Sequence, residues 1–307
     1  MKKRCKLLCL SLAALILVGC SPNIPQHGTG NHSFTDSTGQ TVTLAEKPQR
    51  VAVLLSSFAE IWCLAGGEIA VTVGESVERG ICAEGVTLVD GGAGKTVNTE
   101  VLIAAAPDLV ILSADIPAQA EAAALCREAG IPVAEMRVEC FSEYLALLKL
   151  CTDLTGRSDL YDRHGTAQKA QIDALIANKP LNGSKILFVR AGSSARSVKP
   201  KSSNDHFAAA MLSELGATNI ADGAPLLADG LSMEYILAAD PDRIYFTAMG
   251  DEAASRAFVE QMLQSPEWQA LTAVKNGNYT FLPKENFHYK PNASWASAYA
   301  YLCEGAA

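Results

Sequence analysis

Four cations fall within the twelve residues Arg190 to Lys201, read as Arg190-Ala-Gly-Ser193-Ser-Ala-Arg196-Ser-Val-Lys199-Pro-Lys201. Guanidinium and ammonium donors at that density suit carboxylates or an anionic chelate. An ordinary basic loop is the alternative reading. His206 and His288 are each able to serve as an axial metal ligand, or simply as a polar pocket or surface residue. Met249 has the same two readings. Tyr289 and Trp295 carry flat faces on which a planar ligand can stack, but Trp295 falls inside an apolar helical pattern and reads as core. Three or four clustered ligands are needed for zinc or manganese, and the five histidines are too scattered in sequence for that. No Gly-x-Ser-x-Gly, His-Glu-x-x-His or phosphate-loop pattern occurs. Gly94-Lys95-Thr96 lacks the frame of a phosphate loop. The chemistry on offer is therefore recognition, with no catalytic constellation and no resident cofactor or metal expected.

Something must hold these groups together. Residues 33–44 alternate apolar and polar around Ser37-Thr38-Gly39, a hairpin signal. From 51 to 136 strands alternate with helices: strands at 51–55, 71–74, 109–113 and within 131–136, and helices at 57–64, from about 99 to before Pro107, and 116–130. Residues 75–98 read as loop. Short connections between alternating elements mean a mainly parallel sheet covered by helices. From 142 to 178 the pattern is helical throughout, and 159–178 predicts one helix of about 20 residues, some 30 Å long. Alternation then resumes, with strands at 185–190, 242–247 and 278–282 among helices at 204–216, 232–239, 251–263 and 292–302. The fold class is α/β, two Rossmann-like lobes joined by one long helix.

A chain of 307 residues with 49% hydrophobic content has material for about two domains. Outside the first twenty residues, 33 acids face 21 bases. That balance disfavours nucleic acid, whose binding needs a basic face, and loose docking on anionic lipid. Residues 1–20 run from Lys2, Lys3, Arg4 and Lys6 through the apolar stretch Leu7–Val18 to Gly19-Cys20. The apolar stretch is shorter than a membrane span, so an export signal fits it. Leu17-Val18-Gly19-Cys20 resembles a bacterial lipobox, which implies lipidation at Cys20 after removal of residues 1–19. Residues 20–32 are rich in Pro, Gly and polar side chains and suit a tether. Of the nine cysteines, Cys63, Cys82, Cys126, Cys140, Cys151 and Cys303 remain in the body. Without a Cys-x-x-Cys pair they read as small buried hydrophobes, with disulfide pairing open in an exported protein.

One phrase occurs twice. Glu100, six residues, Pro107-Asp108 and a strand is matched by Glu234, six residues, Pro241-Asp242 and a strand. With Arg50-Val51-Ala52-Val53, Phe58-Ala59-Glu60, Leu154-Thr155-Gly156-Arg157, the run 270–277 and His288-Tyr289-Lys290-Pro291-Asn292, the order and spacing resemble the helical-backbone substrate-binding proteins of ABC importers. That group captures cobalamin, haem and ferric siderophores. The resemblance spans nearly the whole mature chain. It implies a lobe at 33–140, a helical connector at 141–180 and a second lobe at 181–307, with ligand in the cleft and little hinge motion.

The resemblance further implies one exposed acid per lobe, Glu60 and Glu234, meeting arginines of the importer's membrane subunits. Strand-end loops should line the cleft: Ser56, Ser57, Phe58, Glu75, Arg79 and the Gly91-Gly92 loop on one side, and Arg190, Ser193, Arg196, Asn204, His206, Met249, His288 and Tyr289 on the other. The expected function is capture of an iron chelate, ferric siderophore before corrinoid before haem, by a monomeric lipid-anchored protein outside the cytoplasm. An exported hydrolase using the same cleft is the rival from another class. A purely structural surface lipoprotein would leave the cleft unexplained.

Overall fold

The computed structural model describes residues 32–90, 96–192, 197–224 and 231–304. The export signal, Cys20, most of the tether, the Gly91-Gly92 loop, Ser193 and Arg196 lie outside them.

The hairpin is present as β1 (His32–Thr35) paired antiparallel with β2 (Thr41–Leu44). Asp36 closes its turn by accepting from the Thr38 and Gln40 amides at 2.9 and 3.0 Å. The first lobe then runs β3 (Val51–Val53), α1 (Ser56–Leu64), β4 (Ile69–Thr72), α2 (Gly74–Glu78), β5 (Thr87–Leu88), α3 (Thr99–Ala104), β6 (Leu109–Ser113), α4 (Pro117–Glu128) and β7 (Val133–Met136). Its five strands are all parallel in the order β5-β4-β3-β6-β7. Helix α2 and strand β5 lie where the sequence reads as loop. They are five and two residues long, too short to leave a periodic signal.

The connector is α5 (Phe141–Thr155), then α6 (Ser158–Tyr161), one π turn at Asp162–Thr166 and α7 (Ala167–Asn178). The expected helix 159–178 is thus one continuous helical run, widened in the middle. Gly156 ends α5 in the left-handed region at φ +76, where a side chain is strained. Gly165 sits within the π turn because a Cβ there would come 3.0 Å from Leu145 of α5.

The second lobe runs β8 (Lys185–Gly192), β9 (Ser197–Pro200), α8 (Phe207–Glu214), β10 (Thr218–Asn219), α9 (Met233–Ala239), β11 (Arg243–Met249), α10 (Glu252–Leu263), α11 (Pro266–Gln269), α12 (Thr272–Lys275), β12 (Tyr279–Phe281), α13 (Lys284–Phe287) and α14 (Trp295–Glu304). Its parallel strands lie in the order β10-β8-β11-β12, and β9 folds back antiparallel on the end of β8.

The repeated phrase has a structural meaning. In each lobe a residue just before the proline, Ala106 or Asp240, takes positive φ (46° and 40°) and turns the chain sharply. The aspartate that follows caps the start of the neighbouring strand. Asp108 accepts from the Gln49 and Arg50 amides at 2.6 and 3.0 Å, and Asp242 accepts from the Lys185 amide at 2.7 Å. Both devices sit at the amino ends of the strands, opposite the ends where an open α/β sheet binds ligand.

Each lobe keeps a core of its own, such as Val71, Leu102, Val110 and Leu112 in the first and Leu187, Ile244, Phe246 and Val259 in the second. A third core is shared. It runs from Val51, Phe58 and Trp62 through Tyr144, Leu148 and Ile172 of the connector to Phe188, Phe207, Trp295 and Tyr299. Trp295 is its hub, fully buried, with Phe141, Tyr144 and Phe207 at ring-centroid distances of 5.8, 6.2 and 5.8 Å.

Candidate functional site

The carboxyl ends of β3, β4, β8 and β11 lead directly into the residues proposed to line the cleft. Arg79, just after α2, is the hub on the first lobe. Its Nη2 donates to Glu60 Oε2 at 2.9 Å and its Nη1 to Ser56 Oγ at 3.0 Å. Ser56 Oγ in turn donates to Glu75 Oε2. The guanidinium carbon lies 4.2 Å from the centre of the Tyr289 ring, a cation–π contact reaching the other lobe. Lys284 Nζ approaches the same ring at 5.4 Å and donates to the Gly250 carbonyl at 3.1 Å, next to Met249 at the end of β11. Met249 is exposed there.

His288 stands beside Tyr289, their ring centres 5.1 Å apart. Burial holds it below the usual histidine range, helped by Lys284, opposed by Glu75, and helped again by Arg190 and Arg79. Residues of both lobes therefore act on this one imidazole.

His206 is placed differently. It caps α8, accepting from the Ala208 amide through Nδ1 at 3.2 Å. Its ring packs against Phe188 at 4.7 Å and Phe207 at 4.9 Å. Burial first, then Lys290, Arg190, Lys201 and His288, push it down to about 3. It is neutral at physiological pH, with its proton on Nε2 because Nδ1 accepts. Lys290, which bears on it, is paired with Glu139 at 2.8 Å and lies 4.6 Å over the Phe207 ring.

Arg190 occupies β8 opposite Thr247 of β11 on one side and Lys199 of β9 on the other. Residues directly opposite across a ladder share a face, and like charges so placed repel. Among the described residues no carboxylate lies within ion-pair distance of Arg190, Lys199 or Lys201. Arg190, Lys199 and Lys201 thus form a cluster of cations that no ion pair closes among the described residues, although Asp205 feels the Lys201 charge.

Three sequence expectations require correction. Phe58 is 3% exposed and belongs to the shared core, so it does not line the cleft. Ser57 is likewise buried, and its carbonyl accepts from Asn292 Nδ2 at 3.0 Å. The reason is that only Leu54 and Leu55 separate β3 from α1, so Phe58 already obeys the helical period that turns Ile61 and Trp62 inward. Glu60 is not a free surface acid. Its side chain is 27% exposed and Oε2 is held by Arg79 and by Asn292 Nδ2 at 2.9 Å. Glu234 does match its expectation of exposure, on the first turn of α9 behind the Ser232 cap. Asn204 is exposed in the turn Ser203–Asp205, and no contact of the described residues ties it to the cluster.

Four residues carry weight that sequence reading did not assign: Lys284, Lys290, Asn292 and Gln168. The lysines look like solvated surface charges in a linear reading. Asn292, fully buried at φ +47, joins three segments. Its amide reaches Ser57 and Glu60, while its carbonyl accepts from Gln168 Nε2 of α7 at 3.0 Å. The Gln168 carbonyl oxygen then accepts from the Ala296 amide at 3.1 Å. The quoted run ending in Asn292 was the available signal, since a polar residue before an apolar helix is a capping type.

Among the described residues no group of three or more His, Cys, Asp and Glu is placed to hold a metal ion, and no helix is long and apolar enough to cross a membrane. Among them, too, neither His206 nor His288 has a serine or cysteine hydrogen-bonded to it.

Residues 51–286 match the family model described as periplasmic binding protein. No curated protein sequence matches the chain. Several solved structures share the fold. The catecholate-siderophore binding protein VctP of Vibrio cholerae superposes with a TM-score of 0.69 at 16% identity, over 90% of this chain and 99% of that one. Staphylococcus aureus SirA, solved with staphyloferrin B, gives 0.66 at 17% identity, over 89% and 96%. S. aureus IsdE, solved with haem, gives 0.66 at 13% identity, over 83% and 98%.

Proposed function

This chain belongs to the periplasmic binding protein family, the extracytoplasmic solute-binding partners of ABC importers, and from that premise we propose that its solute is an anionic ferric siderophore. The observation that carries the reading is the cationic wall of Arg190, Lys199 and Lys201, which has no carboxylate within ion-pair distance among the described residues. Arg190 and Lys201 add to the burial that holds His206 below the usual histidine range, and an incoming anion offsets that positive field. Tyr289 supplies an aromatic face already accustomed to cations. The siderophore and haem ligands of the structurally similar proteins support a chelate-sized solute. Corrinoid and haem rank below because neither needs so many cations. Lipid attachment at Cys20, a monomeric state and contact of the exposed Glu234 with the membrane subunits complete the proposal.

A binding panel of ferric carboxylate and catecholate siderophores, cobalamin and haemin, followed by intrinsic fluorescence, tests it. The anionic ferric chelates should bind and should weaken as salt rises. Arg190→Ala with Lys201→Ala removes two charge-assisted contacts, so affinity should fall by about 3 kcal/mol, roughly a hundredfold. Tighter binding of cobalamin or haemin, or indifference to both salt and the double substitution, overturns the proposal.

A further inference from the structure

Two half-buried thiols flank the first-lobe wall of the cleft. Cys63 lies on the same face of α1 as Glu60, three residues later. Cys82 lies three residues after Arg79, in the bend that follows α2. Glu60 contacts Arg79, so equal spacing along the two segments brings Cys63 towards Cys82. Cys63 Sγ is 3.8 Å from the carbonyl oxygen of Ile81, the residue joined to Cys82. A trans peptide sets that oxygen about 2.8 Å from the next Cα, so Cys63 Sγ lies within about 6.6 Å of Cys82 Cα. Cys82 is also close enough to act electrostatically on the Cys63 thiol, and a bridge needs the two Cα atoms within about 4.4–6.8 Å of one another. Residue 82 lies outside any helix or strand and is free to make the remaining adjustment.

We propose that Cys63 and Cys82 form a disulfide modification site that clamps the Arg79 segment onto α1. The reaction partner is a disulfide-exchange oxidant of the class found in oxidising compartments. The thiolate of Cys82, the less buried of the two, attacks one sulfur of the external disulfide and expels a thiol. The Cys63 thiolate then displaces the second thiol from the mixed disulfide. Two electrons and the two cysteine protons end on the two released thiols, and one Sγ–Sγ bond forms. Burial pushes the Cys63 thiol up to about 11, with Cys82 and Glu60 adding to it, and burial raises Cys82 as well. Neither thiolate is stabilised in the reduced protein, which favours the disulfide over the dithiol. The bond would close a loop carrying Glu75 and Arg79, so it would preorganise the guanidinium that meets Tyr289. Cys126 and Cys151, buried in separate cores, are not involved.

The full chain is recovered from the extracytoplasmic fraction, its thiols are blocked with iodoacetamide at harvest, and it is digested without reduction. The expected product is a Cys63 peptide joined to a Cys82 peptide, lighter by two hydrogens than the pair of thiols. It should also form when reduced protein is equilibrated with oxidised glutathione. Cys63→Ser should leave Cys82 open to alkylation, and Cys82→Ser the reverse, with Cys126 and Cys151 alkylated only after unfolding in every sample. Full alkylation of Cys63 and Cys82 both at harvest and after glutathione treatment, or pairing of either with another cysteine, overturns the proposal. The wild-type map decides the matter even where a serine variant folds poorly, and no outcome depends on which solute is bound.

Discussion

Replacing His206 by asparagine should flatten the acid dependence of stability. The histidine is held down to about 3 by burial, then by Lys290, Arg190, Lys201 and His288. In the unfolded chain it titrates near its ordinary value of about 6.5. Between those two values the unfolded state takes up a proton that the folded state refuses, so stability falls as pH falls from about 6.5 towards 3. At pH 5 the gap amounts to about 1.5 pH units, or about 2 kcal/mol at 1.36 kcal/mol per unit, against about 0.2 kcal/mol at pH 7. Asparagine keeps the cap on the Ala208 amide, since it is among the best capping residues. It gives up the ring contacts with Phe188 and Phe207, which lowers stability equally at both pH values. His288 shifts in the same direction and is present in both proteins, so it cancels. The depressed carboxylates Asp36, Asp205 and Asp240 lose their contribution mainly below pH 4, outside the comparison. Urea unfolding of both proteins at pH 7 and pH 5 therefore isolates the imidazole. Wild type should lose about 2 kcal/mol more than His206→Asn. An equal loss in the two proteins would show that the ring is solvated and not desolvated among cations.

Asn292→Ala should cost about 3 kcal/mol in urea unfolding. It removes a bond to the Ser57 carbonyl and a charge-assisted bond to Glu60, and strains alanine at φ +47, offset in part by loss of the unpartnered Oδ1. Asn292→Gly should recover about 1 kcal/mol of that by relieving the backbone, and a glycine variant no more stable than the alanine one would refute the strain argument. Trp295→Ala should lose about 3–5 kcal/mol, because the ring is fully buried between the lobes; a smaller loss with altered solute affinity would return it to the cleft. Glu234→Lys should leave stability within about 0.5 kcal/mol and still depress uptake, whereas Glu60→Lys should destabilise by about 2–4 kcal/mol through Arg79 and Asn292. Equal stabilities for the two would deny the buried network around Glu60. Cys20→Ala should free the protein from membranes or block its processing, which fractionation checks.

Legibility in the sequence followed the length of the signal. Strands such as 109–113 and 185–190 and the run 159–178 are long and periodic, and they stand where the pattern puts them. The Glu…Pro-Asp phrase exposed the relation of the lobes, although its use as a strand-starting cap required the Asp108 and Asp242 bonds to be seen. Short elements were lost: β9, four residues long, pairs with β8 and sets Lys199 against Arg190, and an element that short leaves no periodic signal. In the site, residue type was informative and facing was not. Arg79, His288, Tyr289 and Arg190 converge, but Phe58, on the first turn of α1, faces the core and not the cleft. A one-residue error in where a helix begins rotates a side chain by about 100°, enough to carry it from cleft to core. Glu60 was recognised as special for the right reason of position, and the partners that bury it come from residues 79 and 292, far off in the chain.

How such a cleft responds to a solute is constrained by its floor. A wide movement of the second lobe would have to pull Trp295 away from Phe141 and Tyr144 of the connector, in a core where Trp295 and Tyr144 are fully buried. It would also break the chain of bonds from Ser57 through Asn292 and Gln168 to Ala296, in which each partner is buried and would be left unsatisfied. The rim carries no such penalty. Arg79, Lys284, His288 and Tyr289 are half-buried, and they are joined by ring and charge contacts that tolerate sliding. The soft degrees of freedom are therefore side chains and the Arg79 segment, with the lobes held nearly fixed. Selectivity then has to come from the preset spacing between the cationic wall of β8 and β9 and the Arg79–Tyr289 contact, because a rigid cleft cannot reshape itself around solutes of different size.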